Sequence, residues 1–267
     1  VGVDGGAMDN EPLELARTVL SGAFGRNPRE GHKAIRATVM VDPFPEMPSL
    51  GPADLDGVNP VSAFLALTNA WKSQARFKPV DLALANADEI YSRFLIAPSR
   101  KGDTDVSNGY HLASGLLDGF GGFLSRELRL HDYLLGRRNC QIFLWRYFVL
   151  PDDNPLFASW NPDIKKEYAV TFAGDPRTFL PVIPLVRMRP ATAEEPIPAW
   201  PKGALNPAAV ADAVTARFHE LYFRMLDMMN VGWIKQTYLG PLRRALEGKL
   251  RDYALTALTD AMKKRNM

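Results

Sequence analysis

The spacing of apolar residues changes twice near the N-terminus. Val1 to Asp4 reads as the end of a buried strand, after which Leu13, Ala16 and Leu20 fall on one face of a helix. Asn10 caps that helix, Pro12 sits in its first turn where a missing N–H costs nothing, and Gly22 ends it. Residues 35–41 are apolar and β-branched enough for a second buried strand, stopped by Pro43 and Pro45. Strand, helix and strand in this order predict a parallel α/β unit.

Past residue 48 the pattern becomes that of a mainly α-helical region. A Pro- and Gly-rich loop leads to helical periodicity over 61–76 and over 80–94, where Leu82, Ala85, Ile90 and Phe94 lie on or near one face. A long helix is expected over 115–135, then the aromatic run Phe143 to Phe148, a Pro-punctuated stretch over 176–207, and two C-terminal helices split near Gly232 and Gly240-Pro241. In the last helix Leu242, Leu246, Leu250, Ala254, Leu258 and Met262 form one stripe, expected to pack on its own domain first and to make a peripheral membrane contact second. The fold class is therefore α/β: a parallel-sheet remnant over 1–48, followed by a helical region over 49–267.

Composition narrows the functional classes. A chain of 267 residues with 46% hydrophobic content can bury a substantial core. Its 32 basic against 30 acidic residues give a net charge of +2, far from the concentrated basic surface that nucleic acid requires. Cys140 is the single cysteine, so no internal disulfide ties the fold to an oxidising compartment. His111, His131 and His219 lack metal-ligand spacing, so no metal or other cofactor is implied.

Asp4-Gly5-Gly6 carries the chemistry. An aspartate at the C-terminal end of a parallel strand lies where open α/β sheets place their ligands, and two glycines behind it permit a sharp turn and close approach of a substrate. With Asn10 and Pro12 in register, this pattern resembles the second active-site motif of the patatin-like phospholipases. Met40 to Pro45, Arg76 to Arg100 and Gly119 to Cys140 are similar to segments of large bacterial members of that family. The resemblance implies a lipid acyl hydrolase acting on carboxylic esters, cytoplasmic or peripheral to a membrane. In such an enzyme the aspartate takes a proton directly from a serine in an upstream G-x-S-x-G elbow.

No G-x-S-x-G precedes Asp4, so the resemblance implies that this is the C-terminal portion of such an enzyme, with its nucleophile in an upstream part of the same protein. A Ser–Asp dyad asks the carboxylate itself to accept the proton, a task favoured by burial. His32 is in the sequence order of a third triad member. It comes just before one strand whereas Asp4 ends another, which would place the two at opposite edges of a parallel sheet, roughly 20 Å apart, and it is expected on a surface loop. Ser21 is expected to end a helix, and Gly119 to Phe123 to form a turn or close packing rather than a phosphate cradle. Arg126, Arg129, Arg137 and Arg138, beside Glu127 and Asp132, can bind a phosphate head group but fit better an internal network, with Arg129 near Asp132. The alternative function is a catalytically silent helical binding or scaffolding module.

Overall fold

The computed structural model describes residues 13–22, 27–43, 87, 89–101, 110–116, 119–185, 194–228 and 239–267. They divide into two units. One takes the described residues up to Pro98 with Arg137–Glu195; the other takes those of Ser99–Gly136 and Pro196–Met267. The boundary expected at residues 48/49 lies outside the described residues.

In the first unit, helix α1 (Leu13–Ser21) packs against strand β1 (Thr38–Val41). β1 pairs in parallel with β2 (Arg93–Ile96), in a register running from Thr38 opposite Arg93 to Val41 opposite Ile96. The Asp42 amide extends the ladder by donating to the Ile96 carbonyl at 2.9 Å. A helix laid on a parallel strand pair gives the chain its α/β class. Two expectations change here. The strand is four residues long and alternates between half-buried and exposed positions, with Ile35 outside it and exposed. That period-two pattern shows a strand open on one face, not buried on both. Over 80–94, the described residues form a turn and then β2 in place of a helix. Tyr91 is drawn into the core, and Arg93–Ile96 satisfy their backbone on β1.

A second sheet, of order β3-β5-β4, lies within the region expected to be mainly helical, at positions given no element of their own. It joins β3 (Val149–Pro151), β4 (Val170–Thr171) and β5 (Thr178–Pro181) with antiparallel pairings throughout. Val149, Leu150, Phe179 and Leu180 are successive buried positions, so both faces of it are covered, in a core with Ala34, Tyr91 and Phe157. Buried Asn154 ties this core to the turn before β1. Its Nδ2 donates to the Gly31 and Ala34 carbonyls at 2.6 and 2.9 Å, and its Oδ1 accepts the Leu156 amide at 2.9 Å, capping a short 3₁₀ turn. Gly31 lies so close that a Cβ there would stand 2.6 Å from Pro151 Cδ, which is why the position has no side chain.

The chain passes between the units within α2 (Arg126–Ile142), whose last turn opens into a π turn over Phe143–Tyr147. The helix expected over 115–135 is displaced. Residues 114–116 turn, Phe120–Phe123 form a 3₁₀ turn entered through Gly119 at φ 96°, and α2 begins only after Ser125. Ser125 Oγ accepts the Glu127 amide at 3.1 Å and donates to its carboxylate at 2.6 Å, a start signal that overrides the apolar periodicity upstream of it.

In the second unit, α4 (Pro207–Met228) and α5 (Leu239–Lys263) form a hairpin; α3 (Pro162–Tyr168) belongs to the first. Arg251 pairs with Asp212 at 2.7 Å and His219 with Glu247 at 2.9 Å, an order that makes α4 and α5 antiparallel. Gly240 and Pro241 lie in the first turn of α5, so the two C-terminal helices are separate and the second begins where the sequence places it. Leu258 and Met262 of the expected stripe enter a core with Ala113, Leu116, Leu128, Trp200 and Leu205, whereas Leu246 is partly exposed. No described helix is long and apolar enough to cross a membrane.

Asn154→Ala is expected to cost about 3 kcal/mol, since it strands two carbonyls and removes a cap. Urea titration measures this; an unchanged midpoint contradicts the role given to Asn154.

Candidate functional site

Asp4, Gly5, Gly6, Asn10 and Pro12 all lie outside the described residues. The helix and strand that come after them in the chain lie within. Ser21 is the last residue of α1 and spends its hydroxyl on the Thr18 carbonyl at 2.7 Å, as expected of a helix-end serine. His32 is exposed in the turn ahead of β1, the surface position anticipated for it. At the other end of β1, buried Asp42 occupies the carboxyl edge of a parallel strand. In the sequence Asp42 is only one residue of the Met40 to Pro45 segment. It stands out once β1 is seen to end at Val41.

A dense polar cluster of described residues lies in the second unit. The buried Arg100 guanidinium donates to His131 Nε2 at 2.7 Å and to the Pro198 carbonyl at 2.9 Å. A guanidinium has donors only, so Nε2 is the acceptor and the imidazole carries its proton on Nδ1. Nδ1–H then donates to Asp132 Oδ1 at 2.7 Å. The Trp200 indole stacks on His131, with centroids 4.9 Å apart, and carries the Arg100 guanidinium 4.3 Å from its ring centre.

Asp132 is the hub. Besides His131, it accepts the Ala113 amide at 2.7 Å, the Ser114 amide at 2.9 Å and the Ser114 hydroxyl. Arg265 grips the same loop from its carbonyls, donating to Leu112 at 3.0 Å and Gly115 at 2.9 Å while lying over the Tyr110 ring. Amides on a carboxylate and carbonyls on a guanidinium fix an irregular segment that no ladder supports. The Arg129–Asp132 pair expected from i,i+3 spacing is replaced. Asp132 turns to the loop, and Arg129 donates to the Gly122 carbonyl. Arg137 and Arg138 pair with Glu195 and Glu194 at 2.6 and 3.0 Å, partners more than fifty residues away that helix spacing gives no sign of.

A serine hydroxyl donating to a carboxylate has the outward form of a nucleophile and its base. Here the carboxylate also accepts the Ala113 and Ser114 amides and the His131 N–H, so with the hydroxyl its lone pairs are filled by groups that fasten residues 113 and 114 to the helix. The cluster positions a loop. His111, half-buried near it, has no hydrogen-bond partner for Nδ1 among the described residues. Burial first, and Arg100 second, hold its pKa below the ordinary value. No group of three or more His, Cys, Asp or Glu among the described residues could hold a metal ion. Gly119 to Phe123 make a turn, as anticipated, with Gly121 packed closely on Leu116 and Ser114.

The chain is 37% identical over 215 residues to the uncharacterized protein y4iI of Sinorhizobium fredii. The match covers 75% of this chain but 30% of the relative, so the chain spans less than a third of the length of the curated protein that it matches. No family model matches the chain, and no solved structure does.

A histidine whose folded pKa lies below its unfolded value binds protons more readily when unfolded, so the stability it contributes is present above about pH 6.5 and is lost as pH falls. The Glu127 carboxyl, held low by its Ser125 hydrogen bond and then by the amide at the helix start, acts in the same direction at lower pH. His111→Gln is expected to flatten the decline in urea midpoint between about pH 7 and about pH 5 and to leave the steeper acid limb in place. An identical pH profile for the variant contradicts the burial assigned to His111.

Proposed function

We propose that this chain is the C-terminal portion of a bacterial patatin-like serine hydrolase that cleaves acyl esters of lipids, with Asp4 as the base of a Ser–Asp dyad and the nucleophile in a preceding part of the same protein. The observation that carries this is the Asp4-Gly5-Gly6 motif in the sequence, followed along the chain by α1, a helix that packs on the first strand of a parallel pair. A carboxylate delivered at the carboxyl edge of such a layer faces the position where an α/β sheet receives its ligand. The reading assigns Asn10 and Pro12 to the launch of the helix and the two glycines to clearing space for the ester.

On this reading the serine hydroxyl attacks the ester carbonyl while Asp4 takes its proton. Asp4 then returns that proton to the leaving alcohol, and water completes the cycle by the same route. No histidine intervenes. In support of that, His32 is exposed before β1, and Ser21 is bound to its own helix. The much greater length of the Sinorhizobium relative accords with a catalytic part that continues beyond this chain.

In the longer protein, Asp4→Asn should lower turnover of a p-nitrophenyl acyl ester by at least about a thousandfold with melting unchanged, because Asn keeps the shape and cannot take the proton. His32→Ala should remain within about twofold of the parent. Retained activity in Asp4→Asn, or an equal loss in His32→Ala, overturns the dyad assignment.

A further inference from the structure

The 3₁₀ turn over Phe120–Phe123 has phenylalanines as its only side chains, because Gly121 and Gly122 fill its other positions. Phe120 is 64% and Phe123 82% exposed, their ring centroids are 6.0 Å apart, and Leu124 beside them is 41% exposed. Contiguous apolar side chains in water mark a surface that meets something.

The mount is stiff. Gly119 enters the turn at a positive φ of 96°, and a Cβ at Gly121 would stand 2.8 Å from both Leu116 Cβ and the Ser114 carbonyl oxygen. The Gly121 amide donates to the Leu116 carbonyl at 2.8 Å, and Arg129 holds the Gly122 carbonyl. The rings therefore project from the same loop that Asp132 and Arg265 clamp. On α2, Arg126, Arg129, Leu130 and Tyr133 are exposed at helical spacing, so cationic and apolar side chains share the face that continues from the turn. Glu127, the acidic residue of that first helical turn, bends its carboxylate back onto Ser125 Oγ at 2.6 Å.

We infer that the Phe120/Phe123 turn, with Arg126 and Arg129 behind it, is a wedge by which the second unit seats on an anionic lipid surface. A convex turn that presents two rings suits the boundary between head groups and acyl chains, where aromatic side chains partition, while guanidinium groups one helical turn behind meet lipid phosphates. No charged residue interrupts the sequence from Gly119 to Leu124, which Asp118 precedes and Arg126 and Arg129 follow. The wedge takes its purpose from the lipid-ester reading above, but its binding requires no turnover.

Co-sedimentation of the 267-residue chain with phosphatidylcholine vesicles, with and without phosphatidylglycerol, tests the wedge separately from catalysis. The chain should bind the anionic vesicles and bind them less in high salt. Phe120→Ser with Phe123→Ser should lower partitioning at least about tenfold, with the circular dichroism spectrum unchanged. Phe123→Trp should retain binding, and Arg126→Gln should weaken it on anionic vesicles only. Equal binding of the double serine variant, no binding to either vesicle, or a self-associating chain that Phe123→Ser renders monomeric would each overturn the inference. None of these outcomes bears on whether Asp4→Asn abolishes ester turnover, so the two proposals fail separately.

Discussion

The second unit depends on one carboxylate. Asp132 leaves the helix surface on which its spacing from Arg129 places it and takes two amides, a hydroxyl and an imidazole N–H. That choice follows from the cost of burying unpaired backbone: residues 113–114 lie in neither helix nor sheet, and Ala113 is fully buried against Leu116 and Leu128. Once the loop is pinned, its remaining carbonyls fall to Arg265 at the end of α5. The start of this unit is thus fastened to its C-terminus through hydrogen bonds more than a hundred residues apart in sequence. Arg100 donates to both His131 and the Pro198 carbonyl, with the Trp200 ring stacked on His131, and the turn that carries Phe120 and Phe123 hangs from the adjoining Leu116 carbonyl.

The first unit solves the same problem with a neutral group. Asn154 supplies two donors to the turn before β1 and one acceptor to its own 3₁₀ turn, joining the antiparallel sheet to the segment that leads into the parallel pair. In both units a short polar side chain holds irregular backbone that the apolar core covers without satisfying.

Such long-range polar ties limit how much of the structure is legible in the sequence. α1 is legible from helical spacing that runs up to Gly22, although Ala16 and Leu20 of the expected face stay exposed, and the approximate place of β1 is legible from its β-branched run and the proline after it. Ser21, His32 and the close-packed glycines of residues 119–123 read correctly because each depends on local chemistry. The antiparallel sheet is not legible, since strands of two to four residues are too short to show a period and are fixed by partners far along the chain. The start of α2 escapes a periodicity reading because Ser125 outweighs an apolar pattern that runs straight through it. Spacing gives Asp132 the wrong partner because it shows where a side chain starts and not which buried donor it will reach. The Asp4 motif carries the functional proposal from sequence, with the α1–β1 layer and its parallel strand as the structural support beside it.

The central claim is that Asp4 activates a serine lying upstream of this chain, and that Ser114, despite its carboxylate partner, is no nucleophile. Labelling of the longer protein with a fluorophosphonate, followed by mass spectrometry of the modified peptide, tests both halves at once. The proposed dyad predicts a single adduct on a serine preceding Asp4, formed far more slowly in Asp4→Asn. An adduct on Ser114 or Ser21, or labelling indifferent to Asp4, would contradict it.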